Sequence, residues 1–139
     1  MSARPVGLLD TNALILIDRL DVSDLPAEPA ISAVTLAELS VGPLVTADEV
    51  ERAARQARLQ QVEASFEPLP FDAAAARSFG QVAASLRRSG RKTTPRALDA
   101  MIAATAIAND LALYTLNPKD FEGIDGLEVI EIAHPHVST

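Results

Sequence analysis

Apolar residues fall into two kinds of pattern along the chain, and their alternation predicts the architecture. Val6–Leu9 is a short apolar run that ends abruptly at Asp10, as in a buried strand followed at once by a turn. Leu14–Leu20 then reads as a short helix. Ala30–Val34 is a second short strand, and Thr35–Val41 turns helical until Gly42-Pro43 stops it. Thr46-Ala47-Asp48-Glu49 has the form of a capping box, with Thr46 as N-cap and Glu49 reaching back, and predicts a helix to about Ser65. Phe66–Phe71 reads as a third strand, which Pro68 and Pro70 keep from being regular along its length. Asp72 suits the N-cap of an Ala-rich helix over Ala73–Ser89, and Gly90 its left-handed close. Thr94-Pro95 opens another helix, with proline where its missing N–H is harmless, running to about Asp110. Leu98, Met101, Ile102, Thr105 and Ala106 recur on one face of it. Leu113–Thr115 is the fourth strand and Leu127–Ile132 the fifth.

Strands alternating with helices predict an α/β fold, with a central, mostly parallel sheet of four to five strands and helices on both faces. A length of 139 residues suits one domain over 1–139. Apolar stretches such as Ala13–Ile17 fall far short of the ~20 residues a membrane span needs, and Asp10 comes too early for a signal peptide. The expectation is a cytoplasmic protein with no membrane association. The absence of cysteine excludes disulfides, thiolate zinc sites and cysteine nucleophiles. Only His134 and His136 are available, both near the C-terminus, which argues against a His-rich metal site or a Ser-His-Asp triad. A net charge of −7 is opposite to that of a basic nucleic-acid binder. It becomes informative only if some carboxylates converge.

In a parallel α/β sheet, sites gather at the carboxyl ends of the strands. Asp10 and Thr11 follow the first strand, and Glu38 lies a few residues beyond the second. Thr115 and Asn117 come at the end of the fourth strand, with Asp120 just after, and Asp99 sits near the start of the helix leading into that strand. Each residue has a simpler reading. Asp10 caps the next helix, Glu38 completes a capping box with Thr35, and Asp99 pairs with Arg96 or faces solvent. Asp99 falls past the first three helical positions, which makes it a poor cap, and it borders the apolar face. Together the carboxylates have a direction. Two of them 4 Å apart repel by about 4 kcal/mol at an effective dielectric near 20, so three together need a cation. An all-oxygen set suits Mg²⁺ or Mn²⁺, and such a site favours hydrolysis at a phosphodiester.

At this point the motifs resemble a known family. Val6-Gly7-Leu8-Leu9-Asp10-Thr11-Asn12 is similar to the opening strand and first acidic motif of PIN domains. Ala37-Glu38-Leu39 followed by Gly42 resembles their second motif. Leu98-Asp99-Ala100-Met101-Ile102-Ala103-Ala104-Thr105-Ala106 resembles the third, in the form usual for VapC toxins, and Leu113–Phe121 the fourth. The motifs stand in family order over nearly the whole chain. The resemblance implies a PIN-like three-layer α/β/α sandwich. It also implies a Mg²⁺- or Mn²⁺-dependent ribonuclease, the toxin of a VapBC toxin–antitoxin pair. By the same resemblance Asp10, Glu38 and Asp99 hold metal, and Thr11 and Thr115 are supporting hydroxyls. The family's fourth acidic position maps onto Asn117, a catalytic position without charge, and Asp120 is the neighbour that compensates. A cognate VapB-like antitoxin sending a basic residue into the carboxylates, and a homodimer, are further implications.

Arg87, Arg88, Arg91, Lys92 and Arg96 lie just upstream of Asp99 and are candidates for contacts to the RNA backbone; the simpler reading is a solvated helix end. Two rivals stand beside the nuclease. A haloacid-dehalogenase-type phosphatase carries a second Asp two residues after the first, where this chain has Asn12. A catalytically weak PIN-like module acting through protein contacts is the alternative that Asn117 keeps open.

Overall fold

In a computed structural model, residues 6–135 are described; His136 lies outside them. Strand β1 spans Val6–Leu9, β2 Glu28–Ala30, β3 Leu113–Thr115 and β4 Val129–Glu131. They form one all-parallel sheet in the order β2-β1-β3-β4. The chain goes to one side of β1 for β2 and to the other side for β3. The sheet therefore has a topological switch point between β1 and β3, where α/β sheets bind their ligands.

Helix α1 is Thr11–Ile15, α2 Ala33–Val41, α3 Glu49–Ser65, α4 Ala73–Arg88 and α5 Ala97–Ala108. Alternating strand side chains build the two halves of the core. Leu9 and Tyr114 pack with Ala13 and Leu14 of α1 and Val62 of α3, whereas Leu8 and Leu113 pack with Ile102, Ala103 and Ala106 of α5. Behind α5, Val82 and Leu86 of α4 close against Ala100 and Ala104. Small side chains let these helices approach closely. The result is the expected three layers, α/β/α.

Gly7 explains a close approach in the middle of β1. A Cβ there would stand under 3.0 Å from the Tyr114 ring and the Pro26 side chain. Only glycine lets that ring lie flat across the strand.

Several local expectations are corrected. The first helix starts earlier, at Thr11, because Asp10 caps it, and Ile17–Arg19 is a separate 3-10 turn. The second strand is Glu28–Ala30 rather than Ala30–Val34. Ser32 takes over as N-cap there, its Oγ accepting from the Thr35 amide at 3.1 Å. Asp48, not Thr46, caps α3, accepting from the Val50 and Glu51 amides. Phe66–Phe71 is no strand. It makes a single parallel bridge, Leu69 to Ser32, with Pro68 and Pro70 on either side unable to donate. The apolar face of α5 excludes Leu98, which is 48% exposed. Among the described residues no helix is long and apolar enough to cross a membrane.

Candidate active site

The switch point puts Asp10 beside Thr115. Leu9 is in register with Tyr114, and the Asp10 amide donates to the Tyr114 carbonyl at 3.2 Å. The Asp10 carboxylate is then held at both oxygens. Oδ1 accepts from the Ala13 amide at 2.9 Å, and Oδ2 accepts from Thr115 Oγ1 at 2.5 Å. Thr115 Oγ1 in turn accepts from the Asn117 amide at 3.0 Å. Asp10 is thus a helix cap that also carries the Thr115 hydrogen bond at the switch point. Burial raises its pKa, the Thr115 and Ala13 hydrogen bonds pull it back, and Asp120 adds to the rise.

Glu38 arrives from α2. Its expected capping box with Thr35 does not form, because Ser32 starts the helix and moves Glu38 out of the first turn. Its carboxylate Oε1 instead accepts from Thr11 Oγ1 at 2.6 Å. Having given its proton to Glu38, Thr11 accepts from Thr35 Oγ1 at 3.0 Å, and Thr35 accepts from Ser32 Oγ at 3.4 Å. Ser32 and Thr35 are fully buried. The hydroxyls form a directed relay that ends on the carboxylate. The sequence marks Thr35 only as a cap and leaves Ser32 inside the expected strand Ala30–Val34. The signal that could have found them is hydroxyls spaced three apart directly after a strand. Thr11→Val is expected to leave the fold intact and to weaken divalent-ion binding by about tenfold, as loss of a supporting partner does. Isothermal titration with Mn²⁺ checks it.

Asp99 is the third residue of α5, inside its first turn, which corrects the expectation of a later position. A helix start favours a carboxylate, yet the pKa of Asp99 is raised from 3.8 to about 6. Burial is the largest cause, followed by the charges of Asp120, Glu38 and Asp10, with Arg96 opposing. The simpler pairing with Arg96 is absent, since its guanidinium donates to the Asp120 carbonyl oxygen at 3.1 Å. Asp99 has no hydrogen-bond partner among the described residues.

Four carboxylates from four elements therefore share one rim: Asp10 after β1, Glu38 on α2, Asp99 on α5 and Asp120 on the 3-10 turn Pro118–Phe121. Asp120, rather than Asn117, is the acid whose charge reaches Asp10 and Asp99. Asn117 is exposed and contributes through its backbone amide. The donor set is all oxygen, mutually repulsive and partly desolvated, which fits a hard divalent cation. Among the described residues no three such side chains are already closed on one point at ligating distance.

The basic residues divide. Arg88 pairs with Asp125 at 2.9 Å and Arg91 with Glu122 at 2.7 Å. Arg87 and Lys92 are exposed and have no partner among the described residues.

The chain matches the PIN domain family over residues 8–127. It is 40% identical to Ribonuclease VapC5 of Mycobacterium tuberculosis over 136 residues, 95% of this chain and 98% of that protein. It is 38% identical to the tRNA(fMet)-specific endonuclease VapC of Shigella flexneri over 98 residues, 70% of each chain. Among solved structures, a chain of the Mycobacterium tuberculosis VapBC-5 toxin–antitoxin complex superposes with a TM-score of 0.79 at 36% identity, covering 91% of this chain and 98% of that one. A chain of DNA-bound VapBC from Salmonella typhimurium gives 0.72 at 27% identity, covering 92% and 98%.

Proposed function

This chain belongs to the PIN-domain family, among its VapC ribonucleases, and from that premise we propose that it is a divalent-metal-dependent endoribonuclease, the toxin of a VapBC pair. The observation that carries the reading is the ring of Asp10, Glu38, Asp99 and Asp120 at the switch point, with Asp99 under the charge of the other three. Asp10, Glu38 and Asp99 hold Mg²⁺ or Mn²⁺, and Asp120 completes the negative wall where the family pattern is altered by Asn117. The ion, when bound, lowers the pKa of a water and offsets charge on the phosphodiester.

The chain's own residues prepare that chemistry. Thr115 fixes Oδ2 of Asp10 and the Ala13 amide fixes Oδ1, so this carboxylate is presented in one orientation. Thr11, backed by Thr35 and Ser32, does the same for Glu38. Asp99, without such a partner, is the carboxylate left free to adjust when ion and RNA arrive. A VapB-like antitoxin inhibits by bringing a basic side chain to the same acidic ring. That part of the reading predicts that Asp10, Glu38 and Asp99 together changed to Ala weakens antitoxin binding.

The test is incubation of the purified, partner-free chain with total RNA. Discrete cleavage with Mg²⁺ or Mn²⁺, loss in EDTA and recovery when Mn²⁺ is restored are the expected results. A folded chain that neither binds metal nor cuts RNA would instead support the PIN-like protein-contact module.

A further inference from the structure

Where α4 ends, Arg87, Gly90, Arg91, Lys92, Thr93 and Thr94 line an open cavity of about 540 Å³. It holds an anomaly. Thr93 Oγ1 is buried and has no hydrogen-bond partner, the one side-chain atom in that condition among the described residues. A buried hydroxyl without a partner carries an uncompensated desolvation cost, and here it belongs to a residue of the cavity wall. The backbone adds donors. Gly90 turns the chain at φ 84°, and the amides of Lys92, Thr93 and Thr94 find no acceptor among the described residues.

Charge narrows the ligand. No carboxylate lines the cavity, and of its three cations only Arg91 is committed, to Glu122. Arg87 and Lys92 have no partner among the described residues. A hydroxyl, free amides and two free cations around one opening match a group with several anionic oxygens. The position narrows it further. Arg91 also reaches the Lys119 carbonyl at 3.5 Å, and Arg96 the Asp120 carbonyl at 3.1 Å. These contacts tie the turn to the segment that carries Asp120, a member of the carboxylate ring.

We propose that this cavity seats a backbone phosphate of the RNA strand, flanking the bond that is cut at the carboxylates; the proposal rests on the nuclease reading above. A chain of net charge −7 repels RNA as a whole. A local cationic seat beside an acidic centre holds the strand without drawing it into the carboxylates themselves. The pairs Arg88–Asp125 and Arg91–Glu122 connect the turn to the 122–125 segment, while Arg87 and Lys92 supply the charge.

The test uses the full chain carrying Asp99→Asn, so that RNA is bound but not cut, and a fluorescein-labelled single-stranded RNA oligonucleotide as probe. Anisotropy gives its affinity across a salt series. Arg87→Gln with Lys92→Gln is expected to weaken binding by about tenfold at low salt and to flatten the log–log salt slope by roughly 0.7, the contribution of the one seated phosphate. Thr93→Val removes only the hydroxyl, which has no bond within the chain to lose, and is expected to weaken binding with no loss of thermal stability. Arg77→Gln near the other end of α4 is the control for Arg87→Gln alone, each removing one positive charge, and leaves the slope less changed. In the active chain the double variant raises KM and spares kcat. If these variants bind with the parent's affinity and slope while the wild-type chain still cuts RNA, the seat is wrong and the nuclease reading stands. If the wild-type chain neither binds nor cuts RNA, the nuclease reading falls and takes the seat with it.

Discussion

Asp99→Asn is expected to abolish RNA cleavage, by more than about 100-fold, and to make the metal-free protein more stable. The first effect follows from removing a ligand, since loss of a mere supporting partner already costs about 10–100-fold. The second follows from the direction of its pKa. Asp99 ionises at about 6 in the folded chain against 3.8 ordinarily. The folded state therefore disfavours the carboxylate, because of burial first and the charges of Asp120, Glu38 and Asp10 next. A shift of that size corresponds to about 3 kcal/mol at full strength. Asp99 is only partly buried, and solvent screening leaves about 1 kcal/mol as the expected gain.

The sign of the pH dependence is fixed. Between 3.8 and about 6 the folded state holds the Asp99 proton more tightly than the unfolded state does. The wild-type chain thus loses stability as pH rises through that window. The gap between wild type and Asp99→Asn is fully open above about 6 and closes towards 3.8. Excess Mn²⁺ reverses the order, because only the wild-type chain gains from ion binding. Thermal melts in EDTA and in Mn²⁺, at several pH values, read all of this. An Asn variant that melts below wild type in EDTA would mean that Asp99 is an ordinary helix-start carboxylate, and the strained-site account would go.

Where the sequence was legible, one local pattern coincided with one tertiary role. Val6–Leu9 is apolar throughout because both faces of β1 are covered, and the run stops at the polar residue the switch point needs. Asp10 and Asp99 stand out as candidates because one follows a strand and the other lies in the first turn of a helix on the same rim, whereas Glu38 lies in the middle of α2. The failures share a cause. Thr35-x-x-Glu38 and Thr46-x-x-Glu49 both fit a capping box, but the cap is decided by which residue leaves the preceding segment. Ser32 and Asp48 stood first. The Phe66–Phe71 run has strand-like residues, yet two prolines leave it too few donors to join a ladder. The relay joins residues 11, 32, 35 and 38 across two elements; the Ser32-x-x-Thr35 spacing is local, but no local spacing announces its contact with Thr11. The split among the basic residues was equally hidden, since Asp125 and Glu122, which neutralise Arg88 and Arg91, lie more than thirty positions away.

Asp10→Ala is expected to lose cleavage as completely as Asp99→Asn while moving stability the other way. Both carboxylates have raised pKa values, so charge alone would predict that removing either one helps the fold. Hydrogen bonding separates them. Asp99 has no partner to strand, whereas Asp10 satisfies the Ala13 amide with one oxygen and the Thr115 hydroxyl with the other. Both partners are fully buried. Alanine leaves the first turn of α1 uncapped, at about 1 kcal/mol, and strands a buried hydroxyl at about 1–3 kcal/mol. Relief of the buried charge offsets part of this, and a net loss of about 2 kcal/mol is expected, some 6–8 °C in melting temperature for a chain of this size. Thr115→Val made together with Asp10→Ala should recover part of it, because no hydroxyl then remains unpaired; the Asn117 amide loses its acceptor and limits the gain, and cleavage stays lost. Differential scanning calorimetry on the single and double variants in EDTA measures that recovery. If Asp10→Ala instead melts at or above the wild-type temperature, the bonds at its two oxygens do not support the fold, and Asp10, like Asp99, is held at the switch point only at a cost to stability.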